Sequence, residues 1–358
     1  MPKEAPLIKF RTVLIKNPKF RITSPMPHIA TTFPGSPRYQ INGHWQTVWP
    51  SLFRKVPEVT YTRERIDTPD GDFLDLDWVQ CREANSLVIL SHGLEGSTDR
   101  KYIRGMARAF AKKDWDVLAW NCRSCSGELN RTRTLYHHGD TRDIGLVVDH
   151  AFRQKAYDRG YLIGFSMGGA MTLKYLGVKG SDIHPSIQGG IGFSVPCDLK
   201  AGAEALELRQ NRFYNRRFFR KLKAKILAKE AQFPGLVDPA KFDKVRTWRD
   251  FDTWFSAPVA GYETVDDFYY QSSCQHFMAN SRVPLLVVNA INDPILLPAC
   301  TPHHLAREHD HVFVEETPQG GHVGFQTRHG GWWMEERALR AVANGRSEVN
   351  SDFKPPFY

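Results

Sequence analysis

No apolar run in this chain approaches the roughly 18 residues needed to cross a bilayer, and the mean hydropathy is −0.44. The first residues, Met1 to Arg11, lack the apolar core of a secretory signal, so the reading places the protein in the cytoplasm. Its six cysteines in 358 residues are scattered and show no disulfide framework, in keeping with a reducing compartment. No internal repeat and no low-complexity tract is found. The formal charge is +9, which favours anionic surfaces or ligands. No nucleic-acid motif accompanies that charge, so nucleic acid is not expected as a partner. What remains is a soluble globular chain, long enough for one large domain with an insertion.

Read in order, residues 1–58 form an irregular N-terminal arm rich in proline and lysine. The arm holds Asn42-Gly43-His44-Trp45-Gln46-Thr47, whose role composition leaves unexplained. Strands are expected over Val59–Ile66 and Phe73–Val79, joined by a turn at Pro69-Asp70-Gly71-Asp72. Leu87-Val88-Ile89-Leu90 is continuously apolar, as a strand covered on both faces requires. A helix over Arg104–Lys113, a strand over Asp116–Trp120 and a helix over Ile144–Arg153 follow, then strands ending near Phe165 and Val195. From 199 to 275 the chain turns charged, aromatic and helical. Strands resume at Pro284–Asn289 and His311–Glu315, and a helix over Trp332–Ala343 closes the pattern. Strands alternating with helices imply a mainly parallel sheet flanked by helices, with the helical insertion as a cap over the strand ends. The expected division is an arm over 1–58, a core over 59–198, a cap over 199–275 and the rest of the core over 276–358.

The chemistry centres on Gly164-Phe165-Ser166-Met167-Gly168, a G-x-S-x-G segment between a buried strand and a helical pattern. A serine in that turn projects its hydroxyl above the sheet, and flanking glycines avoid a clash at the tight crossing. Serine is a poor nucleophile until a histidine, itself held by a carboxylate, takes its proton. Asp293, after the Pro284–Asn289 strand and before Pro294, is the preferred acid. Asp198, after the preceding strand, reads better as a helix N-cap. Fourteen histidines compete for the role of base. His322 is chosen because Gly320, Gly321 and Gly324 surround it just past the last strand. His137, His138, His303, His304, His309, His311 and His329 sit in weaker settings and read mostly as surface or loop residues. Two backbone N–H donors are needed for a developing oxyanion. Met167, after the nucleophile, supplies one. Leu94, in Ser91-His92-Gly93-Leu94-Glu95-Gly96-Ser97, is chosen for the other.

Three further patterns need weighing. Cys122-Arg123-Ser124-Cys125 has neither the helix start of a redox motif nor a second ligand pair for zinc, so it reads as coincidence. His138 and Asp143 have the H-x4-D form of some acyltransferases. Asp140 and Asp143 read more simply as acids opening a helix. The basic stretch from Arg209 to Lys229 places Phe218, Phe219, Leu222, Ile226 and Leu227 on one helical face. It reads as a cap helix with a solvated basic face, and contact with an anionic membrane surface is the sharper alternative.

The chain resembles the α/β-hydrolase superfamily, and within it the YheT-like branch, the AB hydrolase 4 family, from about residue 41 to the closing helix. The matching segments are Asn42 to Thr47, Ser91 to Gly96, Asn121 to Gly127, Leu135 to Asp140, Gly164 to Gly169, Asn292-Asp293-Pro294 and Gly320 to Phe325. The resemblance implies Ser166 as nucleophile, Asp293 as acid and His322 as base. Where the family pattern has N-F-R-G-C-S-G, this chain carries Cys122 and Ser124. Relatives of this kind are carboxylesterases and lipases of medium-chain acyl esters. Some eukaryotic ones are membrane-anchored phospholipid or acylglycerol hydrolases, or ester-forming acyltransferases. The expectation is therefore a serine hydrolase of carboxylic esters that takes an acyl ester or lipid and needs no cofactor or metal. An acyltransferase with the same triad, or a non-catalytic lipid- or partner-binding protein on this fold, is the rival reading.

Overall fold

The protein is described here by a computed structural model covering residues 28–348. Of the expected arm, residues 1–27 lie outside the described residues, as do residues 349–358 of the second core segment. Nine strands build one sheet: β1 (His28–Ile29), β2 (Thr62–Asp67), β3 (Phe73–Val79), β4 (Ser86–Ser91), β5 (Asp116–Asn121), β6 (Arg159–Phe165), β7 (Ile187–Phe193), β8 (Leu285–Ala290) and β9 (Val312–Thr317). Their spatial order is β1-β9-β8-β7-β6-β4-β5-β3-β2. Only the β2–β3 and β3–β5 pairs are antiparallel. This is the mainly parallel sheet that the alternation of strands and helices predicts, in the α/β-hydrolase arrangement that the resemblance implies.

Apolar residues run without a break along the central strands because both faces are covered. In β4, Leu87 and Ile89 enter one core while Val88 and Leu90 enter the other. The same alternation divides Leu118 and Trp120 from Val117 and Ala119 in β5, and Leu285 and Val287 from Leu286 and Val288 in β8. Helices α3 (Arg142–Gln154) and α4 (Met167–Lys179) close the first core with Ile144, Val148, Met171 and Leu173. Helix α2 (Lys101–Ala111) closes the second with Ile103, Met106 and Phe110. Arg123 lies at the edge of the first core, 2.8 Å from Asp143, 2.6 Å from Asp70 and 3.0 Å from Asp72. Asp143 is thus an acid in the first turn of α3 bound to Arg123, and Cys122 packs in the core.

The arm departs from the irregular chain expected of it. Residues 28–29 add a short parallel strand to β9. Gly43–Phe53 is helix α1, capped by Asn42, whose side chain accepts the Trp45 N–H at 3.0 Å. Proline and an unusual burial pattern hide this helix in the sequence: the residues it buries are Gly43, Gln46 and Pro50.

Between β7 and β8 the chain is helical. It forms α5 (Leu199–Glu207), α6 (Arg212–Gln232), α7 (Trp248–Phe251), α8 (Ala257–Val259) and α9 (Val265–Ser272). Asp198 is the N-cap of α5, accepting the Ala201 N–H at 3.0 Å. Thr247 and Asp250 form a capping box on α7. The segment has its own core, where the ring of Phe219 stacks on Trp248 at 4.3 Å and that of Phe242 on Phe255 at 3.9 Å. Phe218, Phe219, Leu222 and Ile226 of α6 all turn into that core. Two lysines tie α6 to the sheet domain. Lys225 pairs with Glu95 at 2.6 Å, and Lys229 donates to the carbonyls of Asn130 and Thr132 at 2.6 Å each. After β8 come α10 (His303–Glu308) and α11 (Trp333–Glu348), the latter packing Trp333 and Met334 on the second core. Among the described residues, no helix is long and apolar enough to cross a membrane.

Asp252 is buried under α9, where the Tyr269 hydroxyl donates to it at 2.9 Å. Burial pushes its carboxyl from the usual 3.8 up to about 6. The folded state therefore holds this proton more tightly than the unfolded chain does. Stability is lost as pH rises from about 4 through about 6, by an amount on the order of 2–3 kcal/mol. Asp252→Asn should raise the melting temperature at about pH 8 and leave it nearly unchanged at about pH 4. An equal gain at both pH values, read by circular dichroism, would remove ionisation as the cause.

Candidate active site

Strand β6 and helix α4 meet at Ser166, whose backbone is held at φ 54° and ψ −121°. A residue with a side chain adopts such a conformation only where its surroundings hold it there. A Cβ on Gly164 would lie 2.2 Å from the Gly168 carbonyl oxygen, and one on Gly168 would lie 2.3 Å from that of Ser91. The Ser166 N–H donates to Phe193 at 2.8 Å, which fixes the turn on the neighbouring strand β7.

The structure brings Ser166, His322 and Asp293 together. Nε2 of His322 is 2.9 Å from Ser166 Oγ, and Nδ1 is 2.8 Å from Asp293 Oδ2. A carboxylate accepts only, so it assigns the ring proton to Nδ1 and leaves Nε2 to accept from the serine hydroxyl. Asp293 is buried in the turn after β8, and its other oxygen accepts the Ile295 N–H at 3.0 Å. Asp198 belongs elsewhere: besides capping α5, it accepts from Gln275 at 3.1 Å.

The loop after β4 lies against the serine, since a Cβ on Gly93 would sit 3.2 Å from Ser166 Cβ. The Leu94 N–H has no acceptor among the described residues. Met167 is the first residue of α4, so its N–H has no acceptor within the helix. His92 shapes this loop from behind. Its Nδ1 donates to the Gly93 carbonyl at 2.8 Å, and its Nε2 accepts the Cys122 N–H at 3.1 Å. Burial lowers its pKa to about 4, so the ring stays neutral and can play both parts. Tyr102 and Tyr136 accept the Gly93 and Glu95 N–H groups, both at 3.1 Å.

The residues that sequence reasoning left without a role lie in α1. Gln46 Oε1 accepts the Gly320 N–H and the Asn292 side-chain amide, each at 2.8 Å. Asn292 Oδ1 accepts the Gly321 N–H at 3.2 Å. Thr47 Oγ1 accepts the His322 N–H at 2.8 Å and donates to Gly43 at 2.7 Å. A Cβ on Gly43 would lie 1.8 Å from the Asn292 carbonyl oxygen, so the helix start is pressed on the acid loop. The Asn42-to-Thr47 segment therefore clamps the acid loop to the histidine loop. The Val323 N–H donates to Ser194 Oγ at 2.9 Å from the other side.

A cavity opens from Ser166 and His322 into the helical segment. Leu94, Leu135, Leu199, Phe218, Leu222 and Phe255 are among its apolar walls. His137 and His138, in the loop between β5 and α3, line it too. Desolvation there lowers them to about 4 and about 3, so both are neutral near pH 7. Of the large cap residues, Phe218, Trp248, Phe255 and Phe268 reach the cavity, whereas Phe213, Trp254 and Tyr270 are exposed.

The sequence profile of the alpha/beta hydrolase family matches residues 88–344. YheT of Escherichia coli (strain K12), which carries the name of an esterase, is 32% identical over 305 residues, covering 83% of this chain and 88% of that protein. The Homo sapiens phospholipase ABHD3 is 28% identical over 292 residues, covering 79% and 71%. A monoacylglycerol lipase of Saccharomyces cerevisiae is 27% identical over 292 residues, and the match spans 63% of its length. Among solved structures, the Pyrococcus furiosus esterase Pf2001 superposes with a TM-score of 0.54 at 17% identity, covering 82% of this chain and 98% of that one. At that identity the likeness speaks for the fold alone.

The clamp can be tested without touching the three site residues. Thr47→Val keeps the shape of the side chain but leaves the His322 N–H without its acceptor. Misplacement of a reacting group by about 1 Å costs on the order of 10²-fold in rate. Ester turnover should therefore fall by roughly that factor in kcat, with KM little changed. A variant with parental kcat would show that the loop holds its position without α1.

Proposed function

The chain belongs to the alpha/beta hydrolase family, in its YheT-like branch, and we propose that it is a serine hydrolase of carboxylic esters that works through Ser166, His322 and Asp293. The observation that carries this reading is the hydrogen-bonded chain from Ser166 Oγ through the His322 ring to Asp293, at the foot of an apolar-walled cavity. The names of its relatives as esterase, phospholipase and monoacylglycerol lipase agree with it.

Each step follows from the arrangement. Ser166 Oγ attacks the ester carbonyl carbon while its proton passes to His322 Nε2. The carbonyl oxygen gains the negative charge and is held by the N–H groups of Met167 and Leu94, neither of which has an acceptor among the described residues. Asp293 keeps the proton on Nδ1 and stabilises the imidazolium. The tetrahedral intermediate collapses, and the C–O bond to the alcohol breaks. His322 gives its proton to the departing oxygen. Water then attacks the acyl-serine with His322 as base, releasing the acid and restoring the serine hydroxyl.

We read residues 199–275 as the lid that supplies the acyl wall of the site. Phe218, Leu222 and Phe255 give it an apolar lining, and a medium-length acyl chain is the substrate that fits such a lining best. Each methylene transferred from water contributes about 0.8 kcal/mol, or roughly fourfold in kcat/KM while space lasts.

Ser166→Ala should abolish ester hydrolysis and leave the fold intact. Asp293→Asn should lower kcat by about 10⁴-fold, because the amide favours the wrong tautomer and leaves the imidazolium unstabilised. Substantial turnover in purified Ser166→Ala protein would overturn the assignment of the nucleophile.

Across a series of p-nitrophenyl esters, kcat/KM should rise from acetate to medium acyl lengths, and Phe218→Ala should move the maximum to longer chains. A flat profile, or one peaked at acetate, would mean that the lid does not form the acyl wall.

A further inference from the structure

Helix α1 is inside out. A helix on a soluble protein normally turns its apolar stripe to the core and its polar face to water. Here the buried residues are Gly43, Gln46 and Pro50, while Trp45 is 46% exposed and Leu52 and Phe53 are 56% exposed. Trp45, Trp49 and Phe53 recur at the spacing of one helical face. Their rings lie in a row along it, tilted against one another, with centroids 6.2 Å and 4.4 Å apart. Tyr39 extends the row, 5.1 Å from Trp49, and Ile41 beside it is 75% exposed. A lone exposed apolar residue needs no explanation, but a contiguous row of this kind marks a surface that meets something.

Charge indicates what it meets. Among the described residues beside the row, Arg38 and Lys55 are exposed, and no carboxylate occurs from His28 to Pro57. Helix α6 adjoins it. The His44 ring lies parallel to that of Tyr214 with centroids 5.8 Å apart, and Phe213 beside Tyr214 is also exposed. On α6, Arg212, Arg216, Arg220 and Lys223 are exposed at helical spacing, and no carboxylate occurs from Arg212 to Lys229. The apolar face of α6 is consumed by the cap core, so α6 offers charge and α1 offers apolar surface.

We propose that the outer face of α1, flanked by the cations of α6, docks on an anionic lipid surface. Aromatic rings at the headgroup level with Lys and Arg around them are what such an interface takes up. A second copy of the chain would bring the same positive charge against its own. A nucleic acid would stack on the rings but would leave Ile41 and Leu52 in water.

Vesicle sedimentation with the intact chain carrying Ser166→Ala tests this independently of ester hydrolysis. Binding should appear with phosphatidylcholine vesicles containing phosphatidylglycerol, be absent with phosphatidylcholine alone, and weaken with salt. Adding Trp45→Ser and Phe53→Ser should weaken it by about tenfold or more. In the Ser166 background, the same pair should leave turnover of a short water-soluble ester at the parental rate, which shows that the fold is kept. Undiminished vesicle binding by the double variant would assign the interaction to other basic segments and overturn the proposal. So would equal binding to neutral vesicles, a dimer that the double variant loses, or a single-stranded oligonucleotide that displaces the vesicles.

Discussion

The structure depends first on one crowded crossing. Strand β6 must stop, turn and become α4 within the span of Ser166, so close to the β4 strand end that a Cβ on Gly168 would lie 2.3 Å from the Ser91 carbonyl oxygen. The serine is left at φ 54°, a conformation that costs about 1–3 kcal/mol and persists only where the surroundings over-determine it. They do so here. Parallel pairing to β4 and β7 holds β6 on both sides, and α4 packs along its length into the first core. The same closeness that creates the strain brings the Gly93–Leu94 loop against the serine, so Ser166 and that loop share one packing solution.

How much of this was legible depends on the range of each signal. Leu87–Leu90 and Leu285–Asn289 announce buried strands by composition alone, because a strand covered on both faces needs nothing else. That Ser166, Asp293 and His322 could meet was suggested by their places just past strands, with glycine or proline marking the turns, and the structure does bring them together. The clamp was not legible. Gln46 and Thr47 act on loops some 250 residues away in sequence, between 246 and 275 residues, and no local period carries such a partner. Helix α1 was missed because its pattern is reversed, with polar Gln46 buried and Trp45 exposed. His137 and His138 do lie in a loop, as their setting suggested, but nothing local shows that this loop lines the cavity.

Helix α6 shows how one basic stretch divides into different tasks. Lys225 and Lys229 turn inward. The first pairs with Glu95 next to the oxyanion loop, and the second satisfies the carbonyls of Asn130 and Thr132. Burial lowers Lys229 to about 8, so its ammonium is retained at neutral pH by those acceptors rather than by water. Arg212, Arg216, Arg220 and Lys223 turn outward. The ammonium groups of the inward lysines reach from α6 to acceptors on the sheet domain. The basic run is thus neither wholly a solvated face nor wholly a docking face, and counting its charges would not have separated the two.

The reversal of α1 follows from the same accounting of polar groups. The loops carrying Asp293 and His322 expose backbone N–H groups of Gly320, Gly321 and His322 to the protein interior, and a buried donor without a partner costs on the order of 1–3 kcal/mol. Gln46, Asn292 and Thr47 answer those three donors. A helix that must present Gln and Thr inward has its opposite face left over, and there the chain carries tryptophan, leucine and phenylalanine rather than lysine and glutamate. Solubility alone would favour charge at those positions, and the rings pack on one another and on Tyr39 rather than into any of the cores. The inner face is accounted for by the histidine and acid loops. The outer face is accounted for only if something apolar with negative charge at its border lies against it.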